Sequence, residues 1–290
     1  AIGIGAFRFC IALDSVTIPD STKRIQALAF GECAKLRVVT FGNSLNFLGD
    51  RAFLSCTSLL SVTLPHSLSK LDLGTASAFE SNHDKSRTFE GCLKLDTVVI
   101  GDGLATLPKD TFAGCTSLQN VTIGSAVTAI DSTAFSGCGA ITTLNLRTPL
   151  VGNTYSASST FLGKYFSASA SKVQHVTVGG GVTKIGNSAF YKSLSLESVT
   201  MESSVKSIGD LAFDANNKLE SVIIPNSVDT IGYAAFYSCK RLKALVLPDS
   251  VTDLQVKSRG SILCLGCISL TSVVIGDGLA TLPKDTFAGC

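Results

Sequence analysis

Hydrophobic positions recur along this chain with a period of 23 residues. The clearest marker is a phenylalanine, usually preceded by alanine, at Phe7, Phe30, Phe53, Phe89, Phe112, Phe135, Phe166, Phe190, Phe213, Phe236 and Phe287, with Cys264 in the same place of one unit. The steps between them are 23, 23, 36, 23, 23, 31, 24, 23, 23, 28 and 23 residues. Each unit then carries two apolar segments. The first reads Leu13-x-x-Val16-x-Ile18, and again Leu59-x-x-Val62-x-Leu64, Leu118-x-x-Val121-x-Ile123 and Leu219-x-x-Val222-x-Ile224. Its β-branched, period-two ending predicts a short strand, closed by proline or glycine as at Pro19, Pro65, Gly124 and Pro225. The second is Val-x-x-Ile, as in Val182/Ile185, Val205/Ile208 and Val228/Ile231, and predicts another short extended stretch. A unit of this length leaves no room for a full helix with two loops, so one helical or 3₁₀ turn is expected near Ala-Phe.

A fixed short period predicts a stacked array. No single unit can bury its Leu, Val, Ile and Phe alone. Stacked neighbours can, by forming ladders of equivalent residues along a parallel sheet. The register gives twelve units, the first and last incomplete, and residues 1–290 read as one array. Three steps are long by 13, 8 and 5 residues, and each excess falls between the second apolar segment and the next Phe. Segments 72–87, 147–164 and 255–260 are therefore expected as loops emerging on one side of the stack. The stretch VVIGDGLATLPKDTFAGC occurs at 98–115 and again at 273–290. That identity over so long a separation predicts a higher-order repeat of about seven units, and the chain is expected to be a piece of a longer array.

Composition changes this picture little. An apolar content of 45% with 16% charged residues suits a repeat core. The net charge of +2 is spread without a basic run, which gives no electrostatic case for nucleic acid. No apolar stretch of about 18 residues argues for a membrane span.

The stretch 219–239, LESVIIPNSVDTIGYAAFYSC, resembles the motif of the BspA-like class of leucine-rich repeats, and the resemblance extends over the whole chain. It implies a right-handed solenoid, mostly β with short helical or 3₁₀ turns. It also implies a secreted or cell-surface location and a role in adhesion. The family shares no catalytic residues, so none is carried over. The departures are Cys264 for Phe, Ser193 and Asn216 for Cys, and the irregular unit between Phe135 and Phe190.

The ten cysteines invite disulfide or metal readings. Stacked cysteines lie close enough to bridge, yet the same column accepts Ser193 and Asn216, which cannot. A small side chain that packs and bonds nearby backbone satisfies all three, so buried free thiols are expected. Cys264 and Cys267 form a Cys-x-x-Cys without a second pair or spaced histidines, which does not make a zinc site. His66, His83 and His175 lie far apart in the register. No nucleophile elbow, phosphate loop or zinc-protease motif is present. No enzyme, cofactor or metal is expected.

The outward strand positions flanking each core valine are the first candidate surface. They read Ser15/Thr17, Val38/Thr40, Ser61/Thr63, Thr97/Val99, Asn120/Thr122, Thr143/Asn145, His175/Thr177, Ser198/Thr200, Ser221/Ile223, Ala244/Val246 and Ser272/Val274. This uncharged Ser/Thr strip, turning apolar toward the C-terminal side, equally suits plain strand propensity. Asn120-Val121-Thr122 is a glycosylation sequon whose strand position argues against occupancy. The insertions are the second candidate, because loops on a rigid scaffold commonly carry recognition. The partner-binding residues read from these surfaces are Asp72, Glu80, His83, Asp84, Lys85, Arg87, Thr97, Asn120, Thr122, Thr143, Tyr155, His175 and Thr177. The expected partner is a protein or glycan; the alternative is self-assembly into a filament or coat.

Overall fold

The computed structural model describes residues 1–71, 86–257 and 262–290. The chain divides into two compact units, Ala1–Ile141 with Tyr165–Ser169, and Thr142–Lys164 with Ala170–Cys290. Each is a parallel β-solenoid.

In the first unit, Ser15–Thr17, Val38–Thr40, Ser61–Thr63, Thr97–Val99 and Asn120–Ile123 pair in chain order, all parallel. The register matches the sequence columns, with Val16 opposite Val39, Val62 opposite Val98, and Val98 opposite Val121. A second wall pairs Arg24–Ile25 with Phe47–Leu48 and that with Lys70–Leu71, and Thr106–Leu107 with Ala129–Ile130. In the second unit, Thr143–Leu146, His175–Val178, Ser198–Met201 and Ser221–Ile223 form one ladder, and Ala244–Leu247 pairs with Ser272–Ile275. Its second wall runs through Lys184–Ile185, Ser207–Ile208, Thr230–Ile231 and Asp253–Leu254.

The Ala-Phe turn makes a third hydrogen-bonded wall. The amides of Leu28, Phe30 and Glu32 donate to the carbonyls of Asp50, Ala52 and Leu54 on the next coil at 3.0, 2.8 and 2.7 Å. Leu211, Phe213 and Ala215 do the same toward Tyr233, Ala235 and Tyr237 at 2.9, 2.9 and 2.8 Å. Alternate amides can point between coils because the residues two before and two after the Phe are left-handed: φ is 57° at Leu28, 63° at Glu32, 55° at Leu211 and 58° at Ala215. A continuous helix would spend those amides on itself. The turn is thus tight and hydrogen-bonded but not a helix. Regular helix in the described residues is limited to a 3₁₀ turn at Pro149–Gly152 and Phe161–Tyr165.

The core is built from columns. Phe30, Phe53, Phe89 and Phe112 are fully buried, and Phe135 nearly so. Their rings stack from coil to coil at 5.1, 5.3, 5.3 and 5.4 Å, within 10° of parallel. In the second unit Phe190, Phe213 and Phe236 repeat this at 5.4 Å and 3°. The coil rise of about 4.8 Å fixes this spacing and forces the rings into the offset stack that aromatic quadrupoles prefer.

The irregular unit divides the Phe position in two. Phe166 stacks on Phe135 at 4.9 Å, as the period predicts. The backbone register toward Phe190 is held instead by Phe161, whose amide donates to Ala189 O at 3.0 Å, as Phe190 donates to Ala212. The insertion at 147–164 is correspondingly not a surface loop. Leu150, Val151, Phe161 and Leu162 are buried, while Pro149, 153–154, 156–159 and 163–164 stay exposed.

Candidate interaction surface

The thiol column ties each turn to the coil behind it. The Sγ of Cys33, Cys56, Cys115 and Cys138 donates to the carbonyls of Phe7, Phe30, Phe89 and Phe112 at 3.0, 3.2, 3.3 and 3.1 Å. In the second unit Cys239 and Cys267 bond Phe213 O and Phe236 O at 3.2 and 3.1 Å. Asn216 fills the same place and reaches both Phe190 O and Phe213 O, at 2.9 and 2.8 Å. All ten cysteines are free thiols. Burial pushes the Cys56 thiol up to about 12 and the Cys239 thiol well above its ordinary value. The neighbouring Cys264 and Cys267 thiols act on each other, which lowers Cys267 and raises Cys264. Among the described residues no group of three His, Cys, Asp or Glu side chains is placed to hold a metal. No helix there is long and apolar enough to cross a membrane.

The outward strand positions lie where the alternation puts them. In the first unit Ser15, Thr17, Thr40, Ser61 and Thr63 are exposed, while Thr97, Asn120 and Thr122 are half-buried. The structure ties three of the polar groups there together. Asp96 Oδ2 accepts from Thr97 Oγ1 at 2.8 Å and from Asn120 Nδ2 at 3.2 Å, with Asn120 Nδ2 3.4 Å from Thr97 Oγ1. The sequon amide is therefore engaged in a polar row rather than presented for modification. In the second unit Thr143 stands opposite His175 in the ladder, and Thr177 opposite Thr200. The ring Nδ1 of His175 is 2.9 Å from Ser198 Oγ.

Three further outward positions of the second unit are apolar and open: Ile223 is 59% exposed, Val246 49% and Val274 51%. They occupy one column on successive coils. Beside them Glu220 binds Arg241 at 2.6 Å and Lys243 at 2.7 Å, and both contacts hold its carboxyl below the usual range.

The remaining expected residues divide sharply. Tyr155 is not a surface residue. It is buried, its ring packs edge-on against Phe161 at 6.0 Å, and its hydroxyl donates to Leu150 O at 2.6 Å. The insertion follows the repeat's own turn up to this position, since Tyr155 N donates to Asn187 O. That turns the ring inward, which the broken period hid. Arg87 is half-buried and pairs with Glu90 at 3.5 Å. Asp72, Glu80, His83, Asp84 and Lys85 lie outside the described residues, as does most of 72–87 and the end of 255–260. His66 sits on Asp102, its ring Nδ1 taking the Asp102 amide at 3.2 Å.

One feature of the second unit was not read from the period. Tyr191, Asp214 and Tyr237 each follow a column Phe, so a carboxylate stands between two phenols at a spacing of 23 residues on each side. Asp214 lines a groove of about 500 Å³. The signal was in the sequence, at the position after each column Phe, where no one residue type prevails.

The profile of the BspA-type leucine-rich repeat region, a unit of six copies, matches residues 1–85, 84–162 and 160–290. Among solved structures, a leucine-rich repeat protein from Bacteroides ovatus is 22% identical, with 99% of this chain and 79% of that one covered, at a TM-score of 0.46. A leucine-rich cell-surface protein from Faecalibacterium prausnitzii is 22% identical, with 92% and 81% covered, at 0.36. The protein in a TLR13–ssRNA13 complex is 15% identical, with 91% of this chain and 36% of that one covered, at 0.60. This last likeness supports the leucine-rich repeat fold and nothing further. No curated protein matches the chain.

Proposed function

The chain belongs to the BspA-type leucine-rich repeat family, and from that membership we propose that it is a non-enzymatic recognition module acting at a cell surface, with a protein as its partner. The observation that carries the choice of a protein over a glycan is the open apolar column Ile223, Val246 and Val274. Three large aliphatic side chains on successive coils make a contiguous patch with no role in the core, and exposed apolar patches rimmed by polar groups are a mark of protein contact. The Arg241–Glu220–Lys243 cluster supplies such a rim. The Ser/Thr rows extend the contact area without adding charge. An extracellular setting is compatible with free thiols here because eight of the ten are buried, all but Cys10 and Cys290. Several are also held protonated, which removes the reactive thiolate.

The test is a triple variant, Ile223→Lys, Val246→Lys and Val274→Lys, compared with the parent protein on arrays of extracellular proteins and of glycans. All three positions are outward, so the fold should survive. Protein binding that disappears in the variant, with glycans silent in both, supports the reading. Glycan binding that survives the substitutions overturns it. A mass that rises with concentration in the parent and not in the variant would make the partner a second copy of this chain.

A further inference from the structure

The groove lined by Asp214 lies on the turn wall of the second unit, away from the strand face. It runs between two columns of side chains. Leu211, Ala234, Ile262 and Asp285 hold the left-handed position two before each Phe or its Cys264 substitute, with φ of 55°, 53°, 38° and 62°. Asp214, Tyr237, Leu265 and Ala288 hold the position after it. Four coils give a length of about 14 Å at the strand spacing. The volume, about 500 Å³, is in the range of built ligand clefts.

Its polar content is specific. Asp214 is only 9% exposed; its carboxylate is drawn on by Lys192 but no hydrogen bond or ion pair within 4 Å holds it among the described residues. A buried carboxylate without such a contact is costly, and here it lines an open groove. Tyr237 also lines the groove, and its hydroxyl makes no hydrogen bond among the described residues. At the rim Tyr233 already shows what its ring takes: Lys257 Nζ stands 5.0 Å from the centroid while binding Asp210 at 2.8 Å. Asp285 adds a second, exposed carboxylate. Leu211, Ile262 and Leu265 provide apolar wall between these groups.

Resting on the protein-recognition reading above, we propose that this groove anchors a lysine or arginine side chain of the partner protein. The alkyl stem would lie on Leu211, Ile262 and Leu265. The cationic head would pair with Asp214 and face the Tyr237 ring, an arrangement that suits a cation through both charge and ring quadrupole. The groove is open along its length, which suits a side chain entering from a larger body better than a free amine that needs enclosure.

The charge facing Asp214 is Lys192, which draws its carboxyl down, with the Cys239 thiol beneath and Asp285 three coils further along the groove; burial outweighs Lys192 and sets the carboxyl at about 6. Lys192 stands over its own neighbour Tyr191 at 5.1 Å. Cation binding should therefore tighten by about tenfold from pH 5 to pH 7.5 as Asp214 ionises.

The experiment titrates the protein with Nα-acetyl-lysine methylamide and Nα-acetyl-arginine methylamide, with spermidine as the free-amine arm, followed by NMR shifts of the tyrosine rings. Saturable binding of either amide is expected, weakened at least tenfold by Asp214→Asn and about threefold by Tyr237→Ala, and tighter at the higher pH. If Asp214→Asn does not fold by circular dichroism, Tyr237→Ala and the pH series decide. Absence of saturable binding, equal binding by the variants, or binding of spermidine alone overturns the proposal. The strand-face triple variant should bind the amides unchanged. Amide binding lost there but kept in Asp214→Asn would also overturn it, while leaving the strand-face reading intact.

Discussion

Removing one ring from the phenylalanine column tests the stacked-core reasoning directly. Phe112 is fully buried and lies between Phe89 at 5.3 Å and Phe135 at 5.4 Å. Phe112→Ala strips a side chain that buries roughly 150–250 Å², of which most is lost. At about 25 cal/mol per Å² the transfer loss is about 3–4 kcal/mol, and two ring pairs add about 0.5–1.5 kcal/mol each. Partial collapse of the coils recovers some of this, so about 3–5 kcal/mol is expected, in the usual range for such truncations. The distribution matters as much as the size. Stability in a solenoid is close to a sum over coils and nearest-neighbour interfaces. Native-state hydrogen exchange should therefore show the loss in the ladder amides of the coils carrying Phe89, Phe112 and Phe135. The amides near Phe30 should keep their protection. A loss below about 1 kcal/mol, or one spread evenly over the first unit, would refute the column as the source of its stability.

Other expectations follow from the thiol column and the groove. Thiol titration of the native protein should show Cys10 and the exposed Cys290 reacting readily, the other eight only slowly, and all ten after denaturation without reductant. Asn216→Ala should cost about 0.5–1.5 kcal/mol, since Phe190 O and Phe213 O each lose one donor and keep another, Ser193 N and Cys239 Sγ. Asn216→Cys, read by chemical denaturation, should recover much of that. Asp214 is raised from 3.8 to about 6 in the folded state. Its stabilising effect is therefore complete below the unfolded value and lost as pH rises through about 6. The parent should lose about 1–2 kcal/mol between pH 4 and pH 7, after discount for the side open to the groove; Asp214→Asn should lack that slope.

The repeat columns were legible because each is written many times. Valine opposite valine in the ladder, the stacked Phe rings and the thiols turned to backbone carbonyls all sit where the period of 23 residues puts them. Legibility fails where averaging fails. The left-handed turn positions are occupied by Leu28, Glu32, Ser188 and Ala215 as well as by glycines such as Gly91 and Gly114. No residue type marks them, and the inter-coil hydrogen bonds that hold them are non-local. Between Phe135 and Phe190 the period gave Phe166 and missed Phe161, because Phe161, at the start of a five-residue helix, bonds Ala189 while Phe166, just past its end, stacks on Phe135. Tyr155 followed the same error to the wrong side of the wall. Asp214 was not legible for the opposite reason: it stands once, at the position after the Phe, where no one residue type prevails.

That contrast bears on where function can reside in such a chain. Core columns are fixed by stacking, so their residues are determined by neighbouring coils and say nothing of a partner. Information can enter only at positions that the stack leaves open. In the first unit the outward position after each core valine is Thr17, Thr40, Thr63, the half-buried Val99 and Thr122, which strand propensity alone explains. In the second unit the column runs Asn145, Thr177 and Thr200 and then becomes Ile223, Val246 and Val274, all three open to solvent. On the turn wall the same coils hold the mostly buried Asp214, whose carboxyl burial raises to about 6 despite Lys192. Exposed aliphatics and a mostly buried carboxylate both oppose the stability and solubility that the repeat otherwise serves. Two such costs on neighbouring coils are explained together if a partner covers them. Substituting the strand patch and Asp214 in the same protein should therefore raise stability at neutral pH while weakening partner binding. A double variant that binds as the parent does would remove the reason for placing function on these coils.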